Sequence, residues 1–200
     1  MVPEAGENWA IFGGVFDPVH RGHLTLAHDI LTERKLDGIL FVPSFIPPHK
    51  ANNVRTPFPD RTAMLRLALE SNPRFALDEI EAELNSPGYT LNVVSAIREK
   101  YPGVCFYFIV GADHLQTFNQ WYKSEQLARE IRFLIGARPG FSIADLTGIP
   151  VDAEVVKTRL VDISASQMRK LVAAGISEKE LVDLVPESVA TYIRERGLYR

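Results

Sequence analysis

A short apolar run, Ala10-Ile11-Phe12, is broken by Gly13 and Gly14 and turned by Pro18 before a second pattern begins at Leu24. Glycine supplies the backbone freedom that such a break needs, and proline sets the turn. From there Leu24, Ala27, Ile30 and Leu31 recur at three- and four-residue spacing, the period of one helix face. Strand, glycine turn and helix N-terminus in that order point to an α/β architecture. Phosphate binds at this junction, because first-turn N–H groups and the positive end of the helix dipole face the ligand. His20 and His23 lie on the turn, three residues apart, a spacing that puts both imidazoles on one side of a helix entry. Gly22 between them leaves room for a phosphate or ligand backbone to approach. Two solvated histidines would account for the pair taken alone; the glycine-closed strand ahead of it favours a ligand site.

The rest of the chain repeats the alternation. Gly38–Val42 reads as a buried parallel strand entering Pro43-Ser44-Phe45-Ile46-Pro47-Pro48-His49-Lys50, a proline-stiffened loop presenting His49 and Lys50. Asp60–Ser71 reads as a helix with Asp60 as N-cap, and Phe75–Leu77 as a strand. Asp78, Glu79, Glu81 and Glu83 read as a solvated acidic face. Ser86-Pro87-Gly88-Tyr89-Thr90 is a turn, with Thr90 placed to cap a helix over Leu91–Lys100. Val104–Val110 is the most apolar strand, expected near the sheet centre, and it runs into Gly111-Ala112-Asp113. Asp113 there either caps the next helix or accepts from ribose hydroxyls. Trp121-Tyr122 reads as core packing or as a ligand platform.

Arg132–Ile135 is a further strand, leaving through Gly136–Gly140 so that Arg138 falls at the ligand edge. Ser142–Ala153 reads as loop and Val155–Ile163 as the last strand, feeding Ser164-Ala165-Ser166-Gln167-Met168-Arg169. Hydroxyls opening a helix cap it or bind phosphate, and an arginine fork suits phosphate oxygens. Val185–Arg200 reads as a closing amphipathic helix with Pro186 in its first turn, packing Val189, Ile193 and Leu198 on the sheet. The fold class expected is α/β: a doubly wound parallel sheet with helices on both faces. A single domain spans 1–200, with 164–200 a helical segment packed on the sheet.

Composition narrows the partners. A net charge of −3 over 200 residues argues against nucleic acid or an anionic membrane, so positive groups for phosphate must be concentrated locally. The one cysteine, Cys105, falls in an apolar run and reads as a buried thiol in a reducing compartment. No apolar run spans a bilayer and Met1–Asn8 lacks a signal-peptide pattern, so a soluble, cytoplasmic protein is expected.

The string Gly13-Gly14-Val15-Phe16-Asp17-Pro18-Val19-His20-Arg21-Gly22-His23-Leu24 resembles the H-x-G-H signature of the nucleotidylyltransferases. It is most similar to that of the bacterial nicotinate-nucleotide adenylyltransferases, which commonly have Thr in place of Val15. The resemblance extends to Pro47-Pro48-His49-Lys50, to Gly111-Ala112-Asp113 and to the Gly197-Leu198-Tyr199 ending. It also covers Ile163 to Arg169, where Ala165, Ser166 and Met168 replace the usual Ser, Thr and Ile. The resemblance implies a Rossmann-like fold in which His20, His23, Lys50 and Arg169 act on phosphate. Gly13, Gly14, Phe16, Gly111, Asp113, Ser164 and Ser166 would bind nucleotide. Thr90, Trp121, Tyr122 and Arg138 would bind the second substrate, with Trp121 stacking on a nicotinate ring.

The reaction it implies joins AMP from ATP to nicotinate mononucleotide, with Mg²⁺ accompanying ATP and no metal held by the protein itself. An attacking phosphate is already anionic, so positioning and charge stabilisation suffice without a general base. Phosphopantetheine adenylyltransferases share the fold, but usually carry Thr at the position of His20. Cytidylyltransferases carry an Arg-Thr-Glu-Gly-Ile-Ser segment absent here. A non-catalytic nucleotide-binding module is the reading from a different class.

Overall fold

The computed structural model describes residues 2–45, 56–84, 87–115, 117–136, 152–159, 161 and 163–200, with only the backbone of 112 and 113. Six parallel strands form one sheet: β1 (Asn8–Gly14), β2 (Gly38–Pro43), β3 (Phe75–Leu77), β4 (Cys105–Gly111), β5 (Arg132–Gly136) and β6 (Ala153–Val156). Their order is β3-β2-β1-β4-β5-β6. The chain builds outward from β1 to β3, then returns to the far side of β1 and builds outward again. The β1/β4 boundary is therefore the point of reversal, where the crevice at the carboxyl ends of doubly wound sheets takes ligands. The expected fold class is the one found.

Parallel strands bury both faces, and side chains alternate between them. Ala10, Phe12, Ile39, Phe41, Ile109 and Leu134 face one way. They pack with Ile30 and Leu31 of α1 (Arg21–Glu33), Met64 and Leu65 of α2 (Phe58–Leu69), and Met168 of α7 (Ala165–Ala173). The same cluster takes Leu181 of α8 (Glu178–Leu184) and Val189 and Ile193 of α9 (Glu187–Glu195). Trp9, Ile11, Leu40, Phe108 and Phe133 face the other way, toward α3 (Ile80–Glu83), α4 (Thr90–Lys100) and α6 (Ser124–Glu130). A fully buried side chain of this kind contributes about 1.5–3 kcal/mol. Gly38 is required by one of them, since a Cβ there would collide with the Trp9 indole.

Several expectations are corrected. Helix α2 is opened by Pro57, and Asp60 lies in its first turn, buried, accepting from Tyr192 Oη at 2.9 Å. Thr90 is the first residue of α4 and does not cap it; Tyr89 is the capping position. The last strand is Ala153–Val156, shorter and earlier than expected. Beyond it, the Arg159 N–H donates to Asp29 on α1 at 2.7 Å. Cys105 is exposed, because it is the first residue of β4, at the rim of the sheet.

Of the acidic run only Glu83 is solvent-exposed and Glu79 partly so; Asp78 and Glu81 are not. Asp78 is buried and accepts from Tyr101 Oη at 2.6 Å and from Lys100 Nζ, while Glu81 is buried and accepts from the Phe45 N–H at 2.9 Å. Ahead of the expected closing helix, within the 164–200 helical segment, lies α8, started by a reciprocal Ser177/Glu180 capping box. No helix among the described residues is long and apolar enough to cross a membrane.

Candidate active site

The site is built where β1 ends. Phe16 takes a left-handed backbone (φ 49°), unusual for a bulky residue, and folds its ring back under the turn. The ring meets Phe12 at 5.5 Å, Phe41 at 5.8 Å and His23 at 5.1 Å between centroids. Gly14 makes this possible, since a Cβ there would lie 3.0 Å from the Phe16 ring, and one on Gly13 would lie 3.2 Å from Phe108. Both glycines thus have a packing role.

His20 is the N-cap of α1, and its ring stacks on that of His23 with centroids 3.7 Å apart and planes inclined by 25°. The His20 N–H donates to His23 Nδ1 at 3.3 Å. A neutral His23 therefore carries its proton on Nε2, which becomes a donor. His20 is buried, and its Nδ1 has no hydrogen-bond partner among the described residues. Gly22 serves this ring directly, because a Cβ there would sit 3.0 Å from His20 Nδ1. Burial lowers the His20 pKa to about 4; burial, and then the neighbouring His20, hold His23 well below its ordinary value. The unliganded pair is neutral near pH 7.

A second helix N-terminus meets the first. The Ile163 carbonyl, just ahead of α7, lies 3.7 Å from where a Gly22 Cβ would be. Ser164 caps α7, its Oγ accepting from the Gln167 N–H at 3.2 Å, and Ser166 is exposed in the first turn. Arg169, one turn further, donates from Nη1 to the Asp17 carbonyl at 2.7 Å and lies 4.0 Å from its carboxylate.

On the opposite side of the switch point, Gly111 pairs with Gly136 at the ends of β4 and β5. Asp113 falls in the short helix α5 (Ala112–Leu115), its side chain outside the described residues, as are Lys50 and Arg138 entirely. The start of α4 and Tyr122 are brought together through the residue before Thr90: Tyr89 stacks on Tyr122 at 4.6 Å with planes 18° apart. Trp121 is half-buried, 5.5 Å from Phe118 and 6.5 Å from Phe133, so core packing holds part of its ring.

Three further residues were not singled out from sequence. Arg61, 1% exposed, donates to the carbonyls of Val15 at 2.7 Å, Thr56 at 3.2 Å and Phe45 at 3.4 Å. It ties the glycine turn to both ends of the segment carrying Lys50. Its signal was present: Arg61 occupies a core position in the spacing Arg61, Met64, Leu65, Ala68. Asp17, 2% exposed, accepts from Tyr199 Oη at 2.8 Å. Glu81 completes the set, a buried carboxylate against Gly88, where a Cβ would collide with it.

A cytidylyltransferase-like family model matches residues 11–171. The nicotinate-nucleotide adenylyltransferase of Bacillus subtilis is 38% identical over 189 residues, 94% of this chain and 96% of that protein. The chain belongs to the nicotinate-nucleotide adenylyltransferase family. A probable nicotinate-nucleotide adenylyltransferase of Geobacillus thermodenitrificans is 39% identical over 94% of this chain and 84% of its own length. Among solved structures, the Plasmodium falciparum nicotinic acid mononucleotide adenylyltransferase complexed with NaAD superimposes with a TM-score of 0.81 at 22% identity. That match covers 96% of this chain and 97% of the other, and it supports the fold. Membership of this adenylyltransferase family makes the chain a nucleotidyltransferase.

Proposed function

We propose that the chain transfers AMP from ATP to nicotinate mononucleotide, forming nicotinic acid adenine dinucleotide and pyrophosphate, a step of NAD biosynthesis. The family places it among enzymes named for this substrate. The observation that carries the chemistry is the stacked His20/His23 pair at the positive end of α1, with a buried nitrogen that has no partner among the described residues. A 5′-phosphate oxygen of the mononucleotide attacks the α-phosphorus of ATP. The bond from that phosphorus to the bridging oxygen breaks, and pyrophosphate leaves.

In this reading His20, His23 and Lys50 stabilise charge on the α-phosphate and the leaving group, and Arg169 clamps the β- and γ-phosphates. Gly13, Gly14, Phe16, Ser164 and Ser166 shape the phosphate side; Gly111 and Asp113 take the ribose. Thr90, Trp121, Tyr122 and Arg138 receive the mononucleotide. No group of His, Cys, Asp or Glu among the described residues could hold a metal, and Asp17, the buried carboxylate at the turn, already binds Tyr199. These residues fit a Mg²⁺ ion carried in by ATP and held by phosphate oxygens and water. The reading includes a single domain in the cytoplasm and needs neither nucleic acid nor a membrane.

Pyrophosphate release with ATP and nicotinate mononucleotide, nicotinamide mononucleotide or phosphopantetheine tests it. Preferred use of phosphopantetheine, or no turnover with any of the three, overturns it.

A further inference from the structure

The segment after α9 reaches the phosphate turn through Tyr199. Its backbone is left-handed (φ 66°), a conformation that a large side chain takes only when its surroundings enforce it. Its ring packs against the hydrophobic core, and its hydroxyl adds polar contacts. Tyr199 Oη donates to Asp17 Oδ1 at 2.8 Å, and the Thr56 side chain also hydrogen-bonds this phenol. Burial first, and then the Asp17 carboxylate, raise the phenol's pKa, so it remains a donor at any physiological pH. Asp17 follows Phe16, the turn's own left-handed residue, and presents its carbonyl to Arg169 Nη1. One hydroxyl thus joins the turn after β1, the residue ahead of α2 and the segment after α9. It does so on Asp17, the same residue that anchors Arg169.

We propose that Tyr199 is a positioning residue for ATP: its hydroxyl fixes Asp17, and Asp17 aims the Arg169 guanidinium at the triphosphate. The proposal rests on the adenylyltransferase reading for what Arg169 meets. The charge at Asp17 is already balanced by Arg169 and by Arg61, which interacts with it electrostatically. The added contribution of Tyr199 is therefore orientation. Arg169 keeps its other donors for ligand only while the Asp17 peptide stays in place.

Tyr199→Phe removes the hydroxyl and keeps the ring. Losing a hydrogen bond to a charged group should lower kcat/KM for ATP about tenfold, leaving KM for the mononucleotide unchanged. Titration calorimetry with Mg-ATP on the same variant should show a matching loss of affinity. In an Arg169→Ala background the Tyr199→Phe change should have no further effect, because its route to ATP is gone. Tyr192→Phe is the matched control, removing a hydroxyl bound to Asp60 at 2.9 Å on the same helical segment. It should cost stability without a selective effect on ATP.

Wild-type ATP affinity in folded Tyr199→Phe overturns the proposal, and so does an undiminished effect in the Arg169→Ala background. If the wild type binds Mg-ATP but turns over no mononucleotide, the reaction assignment fails and the calorimetric arm still decides Tyr199.

Discussion

Replacing Glu81 with glutamine should make the protein more stable at neutral pH and leave it little changed in acid. Glu81 is 6% exposed, and burial raises its pKa from 4.5 to about 7 in spite of the Phe45 N–H and the Arg61 charge, which favour the anion. The unfolded carboxyl ionises near the ordinary value. Below it, both states hold the neutral acid and the folded form loses nothing. Between 4.5 and 7 the folded state retains a proton that the unfolded state has released, so stability falls as pH rises; above 7 the full loss has been incurred. At about 1.4 kcal/mol per pH unit, the gap amounts to about 3 kcal/mol.

Glutamine keeps an oxygen for the Phe45 N–H and has no charge to desolvate. The difference in melting temperature, Glu81→Gln minus wild type, should therefore climb between pH 4.5 and 7 by roughly 6–12 °C and then level off. His20 works in the opposite sense. With its pKa lowered to about 4, it contributes stability above 6.5 that is lost as pH falls toward 4. The wild-type profile alone thus conceals both groups, and the paired difference isolates Glu81. Circular dichroism melts at half-unit intervals from pH 4 to 8.5 provide it. A difference that stays constant across this range refutes the buried-acid argument.

Four further outcomes are expected. His23→Ala should lower kcat about 10²–10³-fold, the effect of losing one preorganised donor, and should also lower the melting temperature, because the ring packed on His20 and Phe16 is lost; near-normal kcat in a folded variant removes His23 from the chemistry. Arg169→Ala should weaken ATP use far more than mononucleotide use in steady-state kinetics, and Arg169→Lys should restore it only partly, since an ammonium cannot reproduce the guanidinium fork. The amide mononucleotide should be at least about tenfold poorer than the acid, because first-turn N–H groups of α4 at Thr90 gain more from a charged acceptor. Trp121→Ala should reduce use of both while sparing ATP; equal use of acid and amide by the wild type refutes this account of the pocket.

What could be read in the sequence was local. The strand, glycine pair and helix from Asn8 to Glu33 follow from neighbouring residues, as does the three-residue strand Phe75–Leu77. The Ser164 cap likewise acts on a residue three positions away. The failures were partners far along the chain. Asp78 and Glu81 look solvated until Lys100, Tyr101 and the Phe45 N–H are brought to them. Tyr199 and Asp17 are 182 residues apart, so the Gly-Leu-Tyr ending could be noticed without its use being visible. Gly22 was legible as a small residue but not for its reason, since the ring that needs the space is His20's own. Cys105 was misjudged because an apolar run says nothing about which of its residues begins the strand at the rim.

The balance of charge explains why the site is made as it is. In the proposed reaction an acidic chain of net charge −3 binds a triphosphate, yet a cluster of buried, unpaired cations would be costly to desolvate when no ligand is present. The turn meets both demands. Its permanent cations, Arg61 and Arg169, are held on backbone carbonyls, with the Asp17 carboxylate nearby. Its histidines stay neutral in the empty site, their pKa values held down by burial. The two helix ends supply positive potential without any ion to desolvate. An incoming phosphate reverses the condition that keeps His20 and His23 neutral, because a nearby anion favours the protonated imidazole. Under the proposed mechanism positive charge would then gather on the pair as negative charge arrives, and stabilisation at the departure of pyrophosphate is what would accelerate the reaction.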